Sequence, residues 1–138
     1  IWVQDPNQNL LSYRESNVGW LHLDRDDQGD LNDTVMINGV ETVYPINQEV
    51  VTIRGIVSGE YIINLQYYKT TTQKPVTATV KIEKVNPSLK VVYVDKVTLA
   101  NEDDETTVVR FNLDANGEVQ GINHLQKKFT NYGLEVLQ

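Results

Sequence analysis

The chain has 138 residues, a net charge of −7 and no cysteine, which fits one domain able to bury its own core without metal or disulfide staples. Its cations are scattered and outnumbered, so nucleic acid is not an expected partner; no apolar run approaches the ~20 residues of a membrane span, and no signal peptide is legible. The missing cysteine excludes disulfides and thiolate chemistry and leaves the compartment open.

The first stretch, "IWVQ", reads as a strand in progress without an initiator methionine, so residues before Ile1 are expected, with any anchor or export signal among them. "DPNQN" at 5–9 is a turn. In "WLHLD", Trp20 and His22 share one face and Leu21 and Leu23 the other. The acidic stretch "LDRDDQGDLND", 23–33, follows, and Asn38-Gly39 then marks a tight hairpin between "TVMI" and "VETVY". After Ser58-Gly59, "EYIINLQYY" places Tyr61, Ile63, Leu65 and Tyr67 opposite Ile62, Asn64, Gln66 and Tyr68.

"TTTQKP" at 70–75 and "NPS" at 86–88 bracket the clearest strand, in which Val76, Ala78, Val80 and Ile82 alternate with Thr77, Thr79, Lys81 and Glu83. "NEDDE", 101–105, is expected as the exposed tip of a hairpin joining "VVYVDKVTLA" to "TTVVRFNLD", the latter with Thr107, Val109, Phe111 and Leu113 inward. Asn116-Gly117 makes another hairpin turn, and residues 122–130, "INHLQKKFT", are the one candidate for a short C-terminal helix. Nine to eleven short strands with regular turns predict an all-β, antiparallel β-sandwich, immunoglobulin-like in the broad sense, with a barrel as the alternative. A single domain over 1–138 is expected, with residues 85–138 as added strands and tail.

Three stretches carry a resemblance. "WVQDPNQN" offers Trp2, Val3, Asp5 and Pro6; "LDRDD" spans 23–27; "SGEYIINLQYY", 58–68, offers Gly59, Tyr61 and the Tyr67-Tyr68 pair. In this order, over residues 1–84, they resemble a family of bacterial β-sandwich domains of unknown function with the pattern V-x-D-P-x-G, L-D-x-D, P-G-x-Y-x-V-x-V-x-Y-Y. Gln8 stands where that turn has glycine, and Ser58 where it has proline. The chain is also similar to phage- and prophage-encoded hypothetical proteins carrying "LDRDD" and "NQEVVTIRG". The first resemblance implies a sandwich, and neither implies a defined chemistry.

The acidic stretch is the strongest candidate site. Ca²⁺ takes six to eight oxygen ligands, and Asp24, Asp26, Gln28, Gly29 and Asp30 reproduce the opening of a Ca²⁺ loop. Val35 stands where an EF-hand needs its glutamate, so the expected ligand set is that of a non-helical loop: Asp24, Asp26, Asp30 and either Asn32 or Asp33. The alternative is a solvated inter-strand loop, in which Asp and Asn cap backbone N–H groups and Arg25 offsets part of the charge.

Catalytic patterns are missing. His22 and His124 have no zinc spacing, Ser58 lacks a nucleophile elbow, and no glycine-rich phosphate loop occurs. Trp2, Tyr61, Tyr67 and Phe111 are expected in the core, and Tyr13, Trp20 and Tyr68 on the surface. The expected role is a non-enzymatic structural or protein-interaction module, binding a protein partner or itself in an extracytoplasmic or phage assembly. The alternatives are a virion component such as a tail, fibre or decoration domain, and a Ca²⁺-dependent accessory domain for carbohydrate.

Overall fold

The computed structural model describes residues 1–25, 34–37, 40–43, 48–67, 75–86, 88–101 and 104–130. It is all-β, with twelve strands and no helix among those residues. The strands are β1 (Trp2–Gln4), β2 (Leu10–Leu11), β3 (Asn17–Val18), β4 (Leu21–Arg25), β5 (Thr34–Ile37) and β6 (Val40–Val43), followed by β7 (Val50–Ile53), β8 (Gly59–Gln66), β9 (Val76–Lys84), β10 (Lys90–Leu99), β11 (Glu105–Leu113) and β12 (Val119–Asn123). They form a five-stranded sheet of order β12-β11-β8-β1-β2, a three-stranded sheet β3-β4-β7, and the pairs β9-β10 and β5-β6, all antiparallel.

Local chemistry explains the joints. The 5–9 turn closes with Gln8 N donating to Asp5 O and Asp5 N to Asn9 O, while the Asp5 carboxylate accepts from the Asn7 and Asn9 amides and from Asn9 Nδ2. Gln8 sits at φ 66°, the left-handed region where glycine is least strained, which gives a physical reason for glycine at that place in the resembling motif. Gly59, at φ +129°, begins β8 with its Cα against Pro6; a Cβ there would lie 2.7 Å from the Pro6 ring. The Asp-Pro turn and the Gly-x-Tyr strand start are thus one packed unit. Asn116-Gly117 closes the β11-β12 turn, Gly117 at φ 80°, with the Asp114 carboxylate accepting from the Asn116 and Glu118 amides. Ile37 pairs with Val40 in β5-β6, whereas Asn38-Gly39 lies outside the described residues.

One apolar cluster joins the sheets. Val3, Leu11, Tyr61, Ile63, Val109 and Phe111 from the five-stranded sheet pack with Leu21 and Leu23 of β4; Val51 and Ile53 of β7 and Ile82 and Tyr93 of the β9-β10 pair cover its margins. Tyr61 and Phe111 stack with centroids 5.3 Å apart and planes 7° from parallel, and the Tyr61 hydroxyl donates to Val57 O at 2.9 Å. This pairing contributes about 0.5–1.5 kcal/mol beyond its buried area. Trp2, expected in the core, is only half-buried: it pairs with Asn64, on the side of the sheet away from the core, and lies edge-on to Tyr13; Tyr13 and Trp20 are exposed as expected, and Tyr68 lies outside the described residues.

Three expectations are corrected. The C-terminal stretch 122–130 is not helical: Ile122 and Asn123 end β12, and 124–130 runs on without helical structure. The alternation in β11 breaks at a bulge, where Thr107 pairs with Asn64 and Val109 with Ile63, leaving Val108 extra. A bulge shifts the parity of every later residue, so Val109 and Phe111 face the core while Thr107 faces the other side of the sheet. Finally, the stretch 101–105, expected as a hairpin tip, does not join a pair of neighbouring strands. β10 pairs with β9 and β11 with β8 and β12, so this connection passes between sheets, pinned by Tyr67 N donating to Asp104 O at 2.8 Å. β11 lies between β8 and β12 in the five-stranded sheet, while β10 belongs to the separate pair with β9.

Candidate functional site

Asp24, on β4, carries the part of the acidic stretch that the structure describes. Its carboxylate accepts from the Thr52 hydroxyl of neighbouring β7, and lies 3.5 Å from His22 Nε2 and 4.0 Å from an Arg54 guanidinium nitrogen. These contacts follow from the β4-β7 register, which sets His22 opposite Thr52. Asp26, Asp30, Asn32 and Asp33 lie outside the described residues. Among the described residues no group of three or more His, Asp or Glu side chains converges as a metal site needs.

The densest polar arrangement is elsewhere, on the face of the five-stranded sheet turned away from the core. Alternation through β8 and the bulge in β11 put Ile62, Asn64, Glu105, Thr107 and Arg110 on this face. Residues 124–130 lie over it as an extended strap. They follow β12 along β11 in the same antiparallel sense, then climb from the edge onto the face.

No main-chain to main-chain hydrogen bond between strap and sheet is found among the described residues; side chains supply the bonds instead. His124 Nδ1 donates to Val108 O at 2.7 Å. The Gln126 amide reads the Thr107 main chain as a strand would, accepting from its N–H and donating to its C=O, both at 2.9 Å. Lys127 O accepts from Asn64 Nδ2 and the Thr107 hydroxyl, and Lys127 N donates to Thr107 Oγ1. The Glu105 carboxylate then receives Phe129 N at 2.8 Å, Thr130 N at 3.1 Å, the Thr130 hydroxyl at 2.5 Å and Asn64 Nδ2 at 2.6 Å. Phe129 is the buried apolar anchor; residues 124–128 are exposed.

Glu105 is only 8% exposed, and Asn64 is fully buried with its Oδ1 unpartnered. Burial by itself raises the Glu105 pKa, but the bonds from Phe129 N, Thr130, and Asn64 outweigh it and hold the group below its ordinary 4.5. Nothing in the chain order marks Glu105 out from the exposed acids around it. The readable signal is Asn64, a lone amide in the otherwise apolar run "YIINL" of a central strand.

Beside the strap lies an open cleft of about 430 Å³, lined by Gln4, Pro6, Gln8, Glu60, Arg110 and Lys127 among others. Its charges are largely spent on one another. Arg110 Nη2 and Nε donate to the two Glu60 oxygens at 2.6 and 3.3 Å, and Lys127 Nζ reaches Gln4 Oε1 at 3.1 Å while sitting 5.7 Å from the Phe129 ring centre. Such a bidentate pair is a recognition or structural element.

Comparison with known proteins found no matching family model, no matching curated protein and no matching solved structure. The functional reading therefore rests on the residues themselves.

Proposed function

We propose that this chain is a non-enzymatic protein-interaction module, an immunoglobulin-like β-sandwich working within an extracytoplasmic or phage assembly. Supporting the sandwich is the shared core between the five-stranded and three-stranded sheets. Supporting the immunoglobulin-like reading is Tyr61, the third residue of β8, which bonds back to Val57 O four residues upstream, as the tyrosine of the corner in such domains does.

The observation that carries the interaction reading is the β9-β10 ribbon. It is the longest strand pair among the described residues; Val80, Ile82, Tyr93 and Leu99 are buried or packed toward the core, whereas other apolar residues of the ribbon and its connection face solvent: Val85 is 63% exposed, Leu89 68%, Val91 49% and Val94 55%. Val85, Leu89 and Val91 lie at the ribbon's turn end, remote from the connection to β11. Single exposed apolar residues are ordinary on a soluble protein, but several on one hairpin fit a surface covered by a partner.

The test is Leu89→Glu/Val91→Glu in the full chain. Sedimentation velocity over a micromolar range, and cross-linking in the native assembly, should show association in the wild type and its loss in the variant, with unchanged circular dichroism. Identical behaviour of both proteins in both measurements would refute the ribbon as the docking element.

A further inference from the structure

We propose that the groove on the outer face of the five-stranded sheet is a peptide-binding site, and that segment 124–130 of a second copy of this chain occupies it by exchange. The strap seen in place is its own ligand in cis.

The bonding pattern supports this directly. A strand built into a sheet is held by a main-chain ladder, which any sequence satisfies. This segment is held by groove side chains that grip its main chain at 127, 129 and 130, and its sequence is read through four of its own side chains, Gln126, Lys127, Phe129 and Thr130. Glu105 binds two successive amides and the Thr130 hydroxyl, Asn64 and the Thr107 hydroxyl bind the Lys127 carbonyl, and the Gln126 amide clips onto Thr107. A buried site takes the Phe129 ring, and Lys127 adds its contact to Gln4. The recognised unit is therefore Gln-Lys-x-Phe-Thr, and every element that recognises it lies in β1, β8 or β11.

The segment is also built to leave. Five of its seven residues are exposed and one ring anchors it, the profile of a unit that opens far more readily than the core. Immediately before it, β12 bulges: Arg110 pairs with Asn123 and Asn112 with Gln120, with Gly121 at φ 61° in the excess. A glycine bulge at that point lets a few dihedral angles carry the strap away from its own sheet. Opening frees the bonding groups of Asn64, Glu105 and Thr107 on the groove floor, and the unit that fits that floor is the same segment of another copy. Exchange of an identical element costs little, because the contacts formed in trans are those given up in cis. The proposal uses a different face from the β9-β10 ribbon, so either can fail without the other.

Complementation between two full-length variants tests it. Glu105→Ala keeps an intact strap and breaks the groove; Phe129→Ala keeps an intact groove and breaks the strap. Mixed after concentration, the two should form a heterodimer of twice the chain mass, while each alone sediments as a monomer. Only one intact strap and one intact groove exist in the mixture, so the partnership is unambiguous. If Phe129→Ala does not fold, Phe129→Leu replaces it. A labelled synthetic peptide of sequence HLQKKFT, titrated into the groove-intact variant, should bind roughly tenfold or more tightly than to the double variant also lacking Glu105. Two monomers on mixing, together with equal peptide binding to both proteins, would overturn the proposal.

Discussion

Replacing Glu105 by glutamine tests the strap at its most buried bond. In the wild type one carboxylate oxygen accepts from Phe129 N and Asn64 Nδ2 and the other from Thr130 N and Oγ1. Glutamine keeps one acceptor; with its NH₂ toward Thr130 the hydroxyl can turn to accept, but the Thr130 N–H still loses its partner, and the surviving bonds are no longer to a charge. Hydrogen bonds to a charged group contribute roughly 1.5–3 kcal/mol each, so one lost bond and three weakened by roughly 0.5–1 kcal/mol each cost about 3–6 kcal/mol, partly offset because no charge is buried. A net loss of about 2–4 kcal/mol follows. With an unfolding entropy of about 2.1 cal/mol/K per residue, each kcal/mol lowers the midpoint of a chain of this length by about 3–4 °C, a total of about 6–16 °C.

The assay is calorimetry combined with amide hydrogen exchange at Phe129 and Thr130. If the strap detaches as a local unit, the midpoint falls only by its docking energy while those two amides lose protection. The pH dependence fixes the cause. The folded-state pKa of Glu105 lies below its ordinary 4.5, so its contribution is complete above about 4.5 and is lost as pH falls through the folded value. All other titrating groups are common to both proteins. The gap between wild type and Glu105→Gln should therefore be full at about pH 7 and shrink at about pH 3. A gap that stays constant across that range, or amides that remain protected in the variant, would refute the role given to this carboxylate.

Gly59→Ala should lower stability by about 1–3 kcal/mol, read as a fall in the urea midpoint, because the new methyl meets Pro6 at 2.7 Å and φ +129° strains any side chain. Tyr93 is pushed up to about 12 by burial, by its hydroxyl bond to Asp95 and by that carboxylate's charge, so an absorbance titration should show a step well above the ordinary 10. Tyr93→Phe should remove that step, and wild-type stability should decline as pH rises from 10 towards 12, where only the unfolded chain has lost this proton. A Ca²⁺ loop at residues 24–33 requires millimolar Ca²⁺ to raise the melting midpoint of the wild type and not of Asp24→Asn/Asp26→Asn. At a hundred times its dissociation constant the ion adds roughly 2.7 kcal/mol, and no shift in either protein would mark a solvated loop.

Much of the fold was legible because it depends on neighbours in sequence. Period-two alternation in "PVTATVKIEK" and the turn chemistry of Asp5-Pro6 and Asn116-Gly117 are local, and the antiparallel strands follow from them. What the sequence left open depends on contacts across the sheet. The bulge at Val108 carries no local mark, yet it decides that Thr107 turns away from Phe111 and joins Asn64. The helix expected at 122–130 gave way because the main-chain groups of 127, 129 and 130 found partners on Asn64, Thr107 and Glu105, which a helix would have had to supply from within. Glu105 shares its type and surroundings in sequence with exposed acids; only the docking of a segment more than twenty residues later makes it a buried, fully bonded carboxylate. Propensity and turns are written residue by residue, whereas burial and the pairing of polar groups are properties of the folded surface they share.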